Sequence, residues 1–529
     1  MKKFFRLIPL FALLTSCGQR SILEFVPFSS YVEAIDLMKE ENNDNYYRHK
    51  EVSSVNTECG EINSLESLLV NNKTGRIKNL IDSKGERKIL VIPVYFTDSE
   101  TYNNEVKQKE KTIFIQNAFF GETDHTTYDS VAGYYNKSSY GTLRITGEVA
   151  SWYNIGVSSN EWKNISSTYS TASNIIAMAA VDYLKENSDI DFSIYDTDDD
   201  GYIDGVYVIY DHPFSNDKNS NNFFWAYTYY ASRGESGLNI LEPYLNGYSW
   251  TSVDTIVRKD KKSYTNYLIH ETGHLLGLSD YYNTYYSASG NDFHYQPTGC
   301  FDMMDYNIGD HSCFSKYLFQ WSSPKVIKND VHASITLSSF NESGDYLLVP
   351  SSSYNDSPFS EYLLIEYFTP SGLNKYSGSY SYTDKDGNSG VYTYPQHHGL
   401  RIYHVDARLG YYVKNSNSSM VCFVDDENAK AKIAATGKSV GVDYAFNNTL
   451  SDAEAKAGHP VLYHLLESSG ENTFINAKPA NNETLFRLED DFGLTVYKDF
   501  TFNSGDKANF TLKVTKISTK TITLEINRD

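Results

Sequence analysis

The stretch "LIHETGHLLGLSD", from Leu268 to Asp280, sets two histidines four residues apart, with a glutamate directly after the first. On an α-helix, residues at that spacing share a face and lie about 6 Å apart along the axis, so His270 and His274 can offer two imidazoles to one metal ion. Zinc takes nitrogen and oxygen ligands at about 2.0–2.2 Å, and a catalytic zinc keeps one of its four tetrahedral positions open. Glu271 adjoins the first histidine and is placed to act as general base toward water at that open position. Gly277 stands where the helix should end, in the position at which glycine adopts left-handed backbone at little cost. Asp280 follows three residues later and is the expected third ligand. Two neutral imidazoles and one carboxylate leave Zn²⁺ with net positive charge, which acidifies its water. A glutamate ligand from a later helix is poorly supported, because no glutamate occurs between Glu271 and Glu342. His294 and His311 are the possible substitutes, and neither is placed by a turn.

A second chemical feature is "DTDDDGYID", Asp196 to Asp204. Oxygen ligands at alternating positions followed by glycine form the front half of a calcium loop. An EF-hand would need Glu at the twelfth position, where Tyr207 stands, so this is not an EF-hand. A shorter cage of Asp196, Asp198, Asp200 and Asp204 is expected to hold Ca²⁺ and clamp the loop. A solvated acidic turn is the alternative.

These residues need elements to position them. "RKILVIPVYFTD" (Arg87 to Asp98) is a continuous apolar, β-branched run and reads as a buried strand. "GTLRITGEVASWYNI" and "YIDGVYVIYDH" read as further strands. "TASNIIAMAAVDYLKENS" reads as a helix with Ala177, Ala180, Val181 and Leu184 on one face. Tyr267, Leu268, Ile269, Leu275 and Leu276 are expected to bury the histidine helix. The order predicts an α/β domain with a mixed sheet over residues 86–325. Beyond it, "YLLVP", "EYLLIEYF", "GLRIYHVD", "PVLYHLLE", "FTLKVTKI" and "TITLEIN" recur between Gly, Asn, Ser and Asp clusters. They predict a β-rich, sandwich-like region over 326–529, as one or two modules, with "SDAEAKAG" its one helical candidate.

The chain has 529 residues, is 40% hydrophobic, and carries a formal net charge of −21. Such an acidic balance argues against nucleic acid, whose phosphates need a basic surface, and fits a secreted or surface-exposed protein. The N-terminus "MKKFFRLIPLFALLTSCGQRS" has a positive start (Lys2, Lys3, Arg6) and an apolar run, Leu7 to Leu14, too short to span a bilayer and of secretory-signal proportions. Its end, "LLTSC", resembles the bacterial lipobox. Residues 1–17 are therefore expected to be a lipoprotein signal, with Cys17 the lipidated anchor; ordinary signal cleavage is the alternative. Residues 18–85 read as a polar spacer or short pro-region. Cys59, Cys300, Cys313 and Cys422 remain, and outside the cytoplasm they permit disulfides. Cys300 and Cys313 are the expected pair by proximity, and four free thiols the alternative.

The pattern HExxHxxGxxD resembles the immune inhibitor A family of secreted bacterial metallopeptidases, metzincin-like enzymes with Asp where most metzincins carry a third His. "LVIPVYFTD", "SVAGYYNKSSYGTLRITGEVASWY" and "DTDDDGYIDGVYVIY" resemble that family's pre-catalytic segments. "CFDMMDYN" resembles its Met-turn, and "HSCFSKYLFQW" the region after it. "EYLLIEYF" and "HHGLRIYHVD" resemble its β-rich part. The resemblance covers about Arg87 to Asp529 and implies a metzincin-like catalytic domain, with Met304 beneath the metal. It also implies a role for Tyr306, two residues on, as a donor to the oxyanion. The N-terminal segment is shorter than the family's large pro-regions.

The expectation is a surface-anchored, monomeric zinc metalloendopeptidase acting on protein or peptide substrates at the extracellular face of a bacterial membrane. The rival from another class is a non-catalytic surface lipoprotein, an adhesin or binding module with structural zinc.

Overall fold

The computed structural model describes residues 80–163, 169–215, 224–230, 242–257, 262–283, 295–305, 308–376, 380–383, 389–392, 395–413, 420–438, 440–476 and 478–529. Cys17, Cys59, His294 and Tyr306 lie outside the described residues.

Two compact units are present. The first draws on Leu90–Ile115 and Glu148–Arg258. Its sheet has the order β2-β1-β3-β5-β4, where β1 is Gly85–Tyr95, β2 Leu143–Val149, β3 Gly205–Asp211, β4 Tyr227–Tyr230 and β5 Gly247–Ser252. β3 and β5 run parallel while β4 and β5 run antiparallel, so the sheet is mixed, as the strand and helix order predicts. β1 and β3 are buried on both faces over most of their length, which explains why their sequences run apolar without alternation. The long helix Tyr169–Asn187 packs Ala177, Ala180, Val181 and Leu184 into the same core as Leu90, Ile92 and Val208. The helix α1, Glu105–Phe120, was not expected: it leaves Val106 75% and Ile113 61% exposed, so it carries no clean apolar stripe to read.

The second unit includes Gln116–Gly147 and Lys259–Asp529. Within it, the helix α2 (Val131–Ser138), the histidine helix α3 (Asn266–Leu275) and the helix α4 (Cys313–Leu318) accompany two larger sheets. One sheet contains β6 (Tyr346–Pro350), β7 (Glu361–Phe368), β8 (Gly399–Asp406) and β9 (Tyr463–Leu466), successive neighbours being antiparallel. The other contains the long hairpin Phe510–Ile517 and Thr521–Arg528, flanked by Val331–Ser338. Leu347, Leu363 and Ile402 of the first share a core with Leu337, Leu512 and Leu524 of the second, giving the expected sandwich-like arrangement. "SDAEAKAG" does form a short helix, Asp452–Lys456, closed by a capping box between Ser451 and Glu454.

One expectation fails. Cys300 and Cys313 are free and buried, as is Cys422. Cys300 sits in a turn with φ 59°, whereas Cys313 opens α4 with its backbone N–H donated to the Glu366 carboxylate at 2.8 Å. Nearness in sequence does not bring the two sulfurs together.

Candidate metal centre

The histidine helix ends as its sequence dictates. Gly277 has φ 107°, the Leu278 N–H reaches the Gly273 carbonyl at 2.9 Å, and the Gly277 N–H reaches the His274 carbonyl at 2.9 Å. This is the paired bonding of a Schellman cap, with Leu278 buried beyond it. Leu268, Ile269, Leu275 and Leu276 are buried as expected, but Tyr267 is 38% exposed. Tyr267 is three and seven residues before the histidines and therefore shares their more open face.

The reversal brings three donors together. His270, His274 and Asp280 each place a ligand atom within 4.8 Å of the others. Nε2 of His270 and Nε2 of His274 each lie 3.1 Å from Asp280 Oδ1. Tetrahedral zinc with bonds of about 2.0–2.1 Å has ligand–ligand edges of about 3.3 Å, so the donor set fits that ion in type and spacing.

Each imidazole is oriented by its other nitrogen. His270 Nδ1 lies 3.0 Å from the Met303 carbonyl, and His274 Nδ1 2.8 Å from the Leu278 carbonyl. A carbonyl only accepts, so both Nδ1 atoms carry a proton, and Nε2 is the ring atom that each histidine offers to a metal. The side chains of His270, His274 and Asp280 keep 16%, 14% and 27% exposure, which leaves the donors reachable from solvent. Burial alone would lower the His270 pKa, but the hydrogen bond and charge of Asp280 raise it to about 9. Asp280 is buried against ionisation, yet the two histidines hold it well below the usual carboxylate range. Glu271 is 5% exposed, next to His270 on the helix.

The turn Asp302–Asp305 ties the ligands to one another. Met303 supplies the carbonyl for His270, and the Met304 carbonyl accepts the Tyr281 N–H at 2.8 Å, next to Asp280. Asp302 Oδ1 accepts the Met304 N–H at 2.9 Å and fixes the turn itself. Burial pushes Asp302 up to about 6 and Asp305 up to about 7. Met304 is fully buried with its sulfur against Gly273 of the histidine helix. The Tyr135 hydroxyl of α2 donates to the Ile269 carbonyl of that helix at 2.7 Å. Ser130 caps α2 by accepting the Gly133 N–H at 3.1 Å. His311, one of the substitute ligands, is not in the ligand group: it is fully buried with Nε2 3.4 Å from the Tyr135 hydroxyl.

Gly273 was missed in the sequence, although a glycine inside a helix costs about 1 kcal/mol relative to Ala and so signals a close approach. The carbonyls of Met303 and Leu278 carried no signal, because any residue supplies a carbonyl.

In the first unit, Asp196, Asp198, Asp200 and Asp204 also gather within 4.8 Å of one another, with Asp196 and Asp204 buried and the other two exposed. Asp196 accepts the N–H groups of Asp200 and Gly201 at 3.0 and 2.8 Å, and Asp204 accepts the Thr197 N–H at 2.9 Å. Burial drives the Asp204 pKa well up, with the charges of Asp198 and Asp200 adding to it. Among the described residues these two groups have metal-ligand character.

Residues 78–305 match the family model of the immune inhibitor A peptidase M6 catalytic domain. The matched segment is less than half of the 529 residues and contains both candidate metal-binding groups and the Met304 turn. No curated protein matches the chain. The match supports a metallopeptidase, hence a hydrolase of protein or peptide substrates. Among the described residues no helix is long and apolar enough to cross a membrane.

Proposed function

We propose that the chain is a zinc metalloendopeptidase whose ion is held by His270, His274 and Asp280. The convergence of the two Nε2 atoms on one carboxylate oxygen carries this reading. When bound, zinc supplies Lewis acidity, acidifying water and polarising the scissile carbonyl. Glu271 takes the proton from the attacking water and passes it to the leaving amine. Tyr306 donates a hydrogen bond to the oxyanion, as the resemblance of "CFDMMDYN" to a Met-turn implies. Met303 and Leu278 hold the imidazoles in the tautomer that leaves Nε2 free.

A structural zinc is closed by four protein ligands. Here Glu271 adjoins His270 on the helix and the three side chains stay partly open, which favours the enzyme over a binding module. The acidic group in the first unit is proposed as a structural Ca²⁺ site. The signal-like residues 1–17 support lipid anchoring through Cys17 at the cell surface, and the acidic net charge fits a secreted or surface-exposed protein. The catalytic region is taken as 86–325, preceded by a spacer over 18–85 and followed by the β-rich region 326–529. Cleavage of a denatured protein substrate before and after chelation, with zinc added back, tests the reading; activity untouched by chelation would refute it.

A further inference from the structure

Asp280 lies in irregular backbone after the helix cap, so its position depends on what anchors that segment. The next residue, Tyr281, is only 1% exposed and is held from several directions. Its N–H donates to the Met304 carbonyl at 2.8 Å. Its hydroxyl lies 3.1 Å from Ser315 Oγ, and its ring is 4.9 Å from that of Tyr463 and 5.8 Å from that of Phe314. Its carbonyl accepts from Asn448 Nδ2 at 2.9 Å. Asn448 is itself 1% exposed, gives its second amide hydrogen to the Tyr463 carbonyl at 2.9 Å, and accepts the Tyr463 N–H on Oδ1 at 3.1 Å. One neutral amide therefore spends both donors and its acceptor in joining the ligand loop to strand β9.

We infer that Asn448 is a positioning residue for the metal ligand Asp280, and that the region beyond the matched segment thereby completes the metal centre. The inference rests on the reading of His270, His274 and Asp280 as a zinc site. Tyr281, the residue after Asp280, is pinned on both sides, by the Met304 turn at its N–H and by Asn448 at its carbonyl. Both carbonyls facing the Asn448 amide are acceptors, so an oxygen in place of Nδ2 would repel them and leave them unpaired in a buried site. Outer partners of this kind are worth about 10–100-fold in metal affinity.

The test is zinc affinity of the full chain by chelator competition, with the visible spectrum of the cobalt-substituted protein as a second readout. Asn448→Ala and the near-isosteric Asn448→Asp, which keeps the acceptor for the Tyr463 N–H, are compared with Leu524→Ala. Leu524 is buried in the core of the sandwich, a cluster that includes neither Tyr281 nor Tyr463, so its truncation reports general destabilisation. The expected result is a loss of affinity of about 10-fold or more and an altered cobalt spectrum in the folded Asn448 variants, with Leu524→Ala like wild type. Wild-type affinity in the Asn448 variants would overturn the assignment, as would an equal loss in Leu524→Ala. Wild-type protein that holds no zinc would instead overturn the metal reading itself, a result visible without any variant.

Discussion

Met304 rests its sulfur where Gly273 has no side chain: a β-carbon on Gly273 would stand 2.4 Å from Met304 Sδ and 3.1 Å from its methyl. The contact sets the distance between the histidine helix and the turn that holds both His270 and Tyr281. Two effects of Gly273→Ala oppose each other. Helix propensity favours alanine by about 1 kcal/mol, whereas overpacking a closed core costs about 1–3 kcal/mol. Met304 is fully buried and has little room to yield, so overpacking wins. Denaturant unfolding should show Gly273→Ala less stable than wild type, and Met304→Ala should recover part of the loss in the double variant. A Gly273→Ala protein more stable than wild type would refute the packing argument.

His270 gives a proton-linkage prediction for metal loading. Its pKa is about 9 in the metal-free fold against an ordinary value of 6.5. A group raised on folding stabilises fully below about pH 6.5, and that contribution is lost as pH rises through about 9. Zinc needs the unprotonated Nε2, so loading near pH 7.5 should expel about one proton from this residue. Calorimetry in buffers of different ionisation enthalpy measures it. Zinc binding without proton release would contradict the His270–Asp280 pairing, and Asp280→Ala should bind zinc far more weakly.

His311 has the opposite sign. Burial lowers its pKa well below 6.5, with the charges of Lys316 and His270 adding to the effect. The folded protein holds it neutral while the unfolded chain protonates it, so stability falls as pH drops below about 6.5, by up to about 1.4 kcal/mol per pH unit. His311→Phe removes this titration. Denaturation midpoints compared between pH 7.5 and 5.0 should fall less in the variant; parallel falls would contradict the assignment.

The convergence of His270, His274 and Asp280 was legible because helical periodicity turns spacing into direction, and because Gly277 announced the turn that returns Asp280. The strands of both units were legible as short apolar runs between turn residues. What could not be read is long-range. Asn448 lies 167 residues from Tyr281 and resembles any other loop asparagine. The free state of Cys300 and Cys313 depends on the turn and helix that separate them. Helix α1 escaped because its buried stripe, Lys111, Ile115, Ala118 and Phe119, includes a lysine and is blurred by the exposed Val106 and Ile113.

The acidic group in the first unit should respond to calcium. A site filled to tenfold above its dissociation constant adds about 1.4 kcal/mol of stability. Thermal unfolding should shift upward on adding millimolar calcium, and Asp198→Ala should abolish most of the shift. A melting temperature indifferent to calcium would remove the site.

The central claim is tested most directly by cleavage of a protein substrate with wild type, Glu271→Ala and zinc-depleted wild type. Removing a general base costs about 10²–10⁴-fold, so Glu271→Ala should retain zinc yet lose cleavage on that scale, and depletion should abolish it until zinc is restored. Equal cleavage by all three would contradict the account.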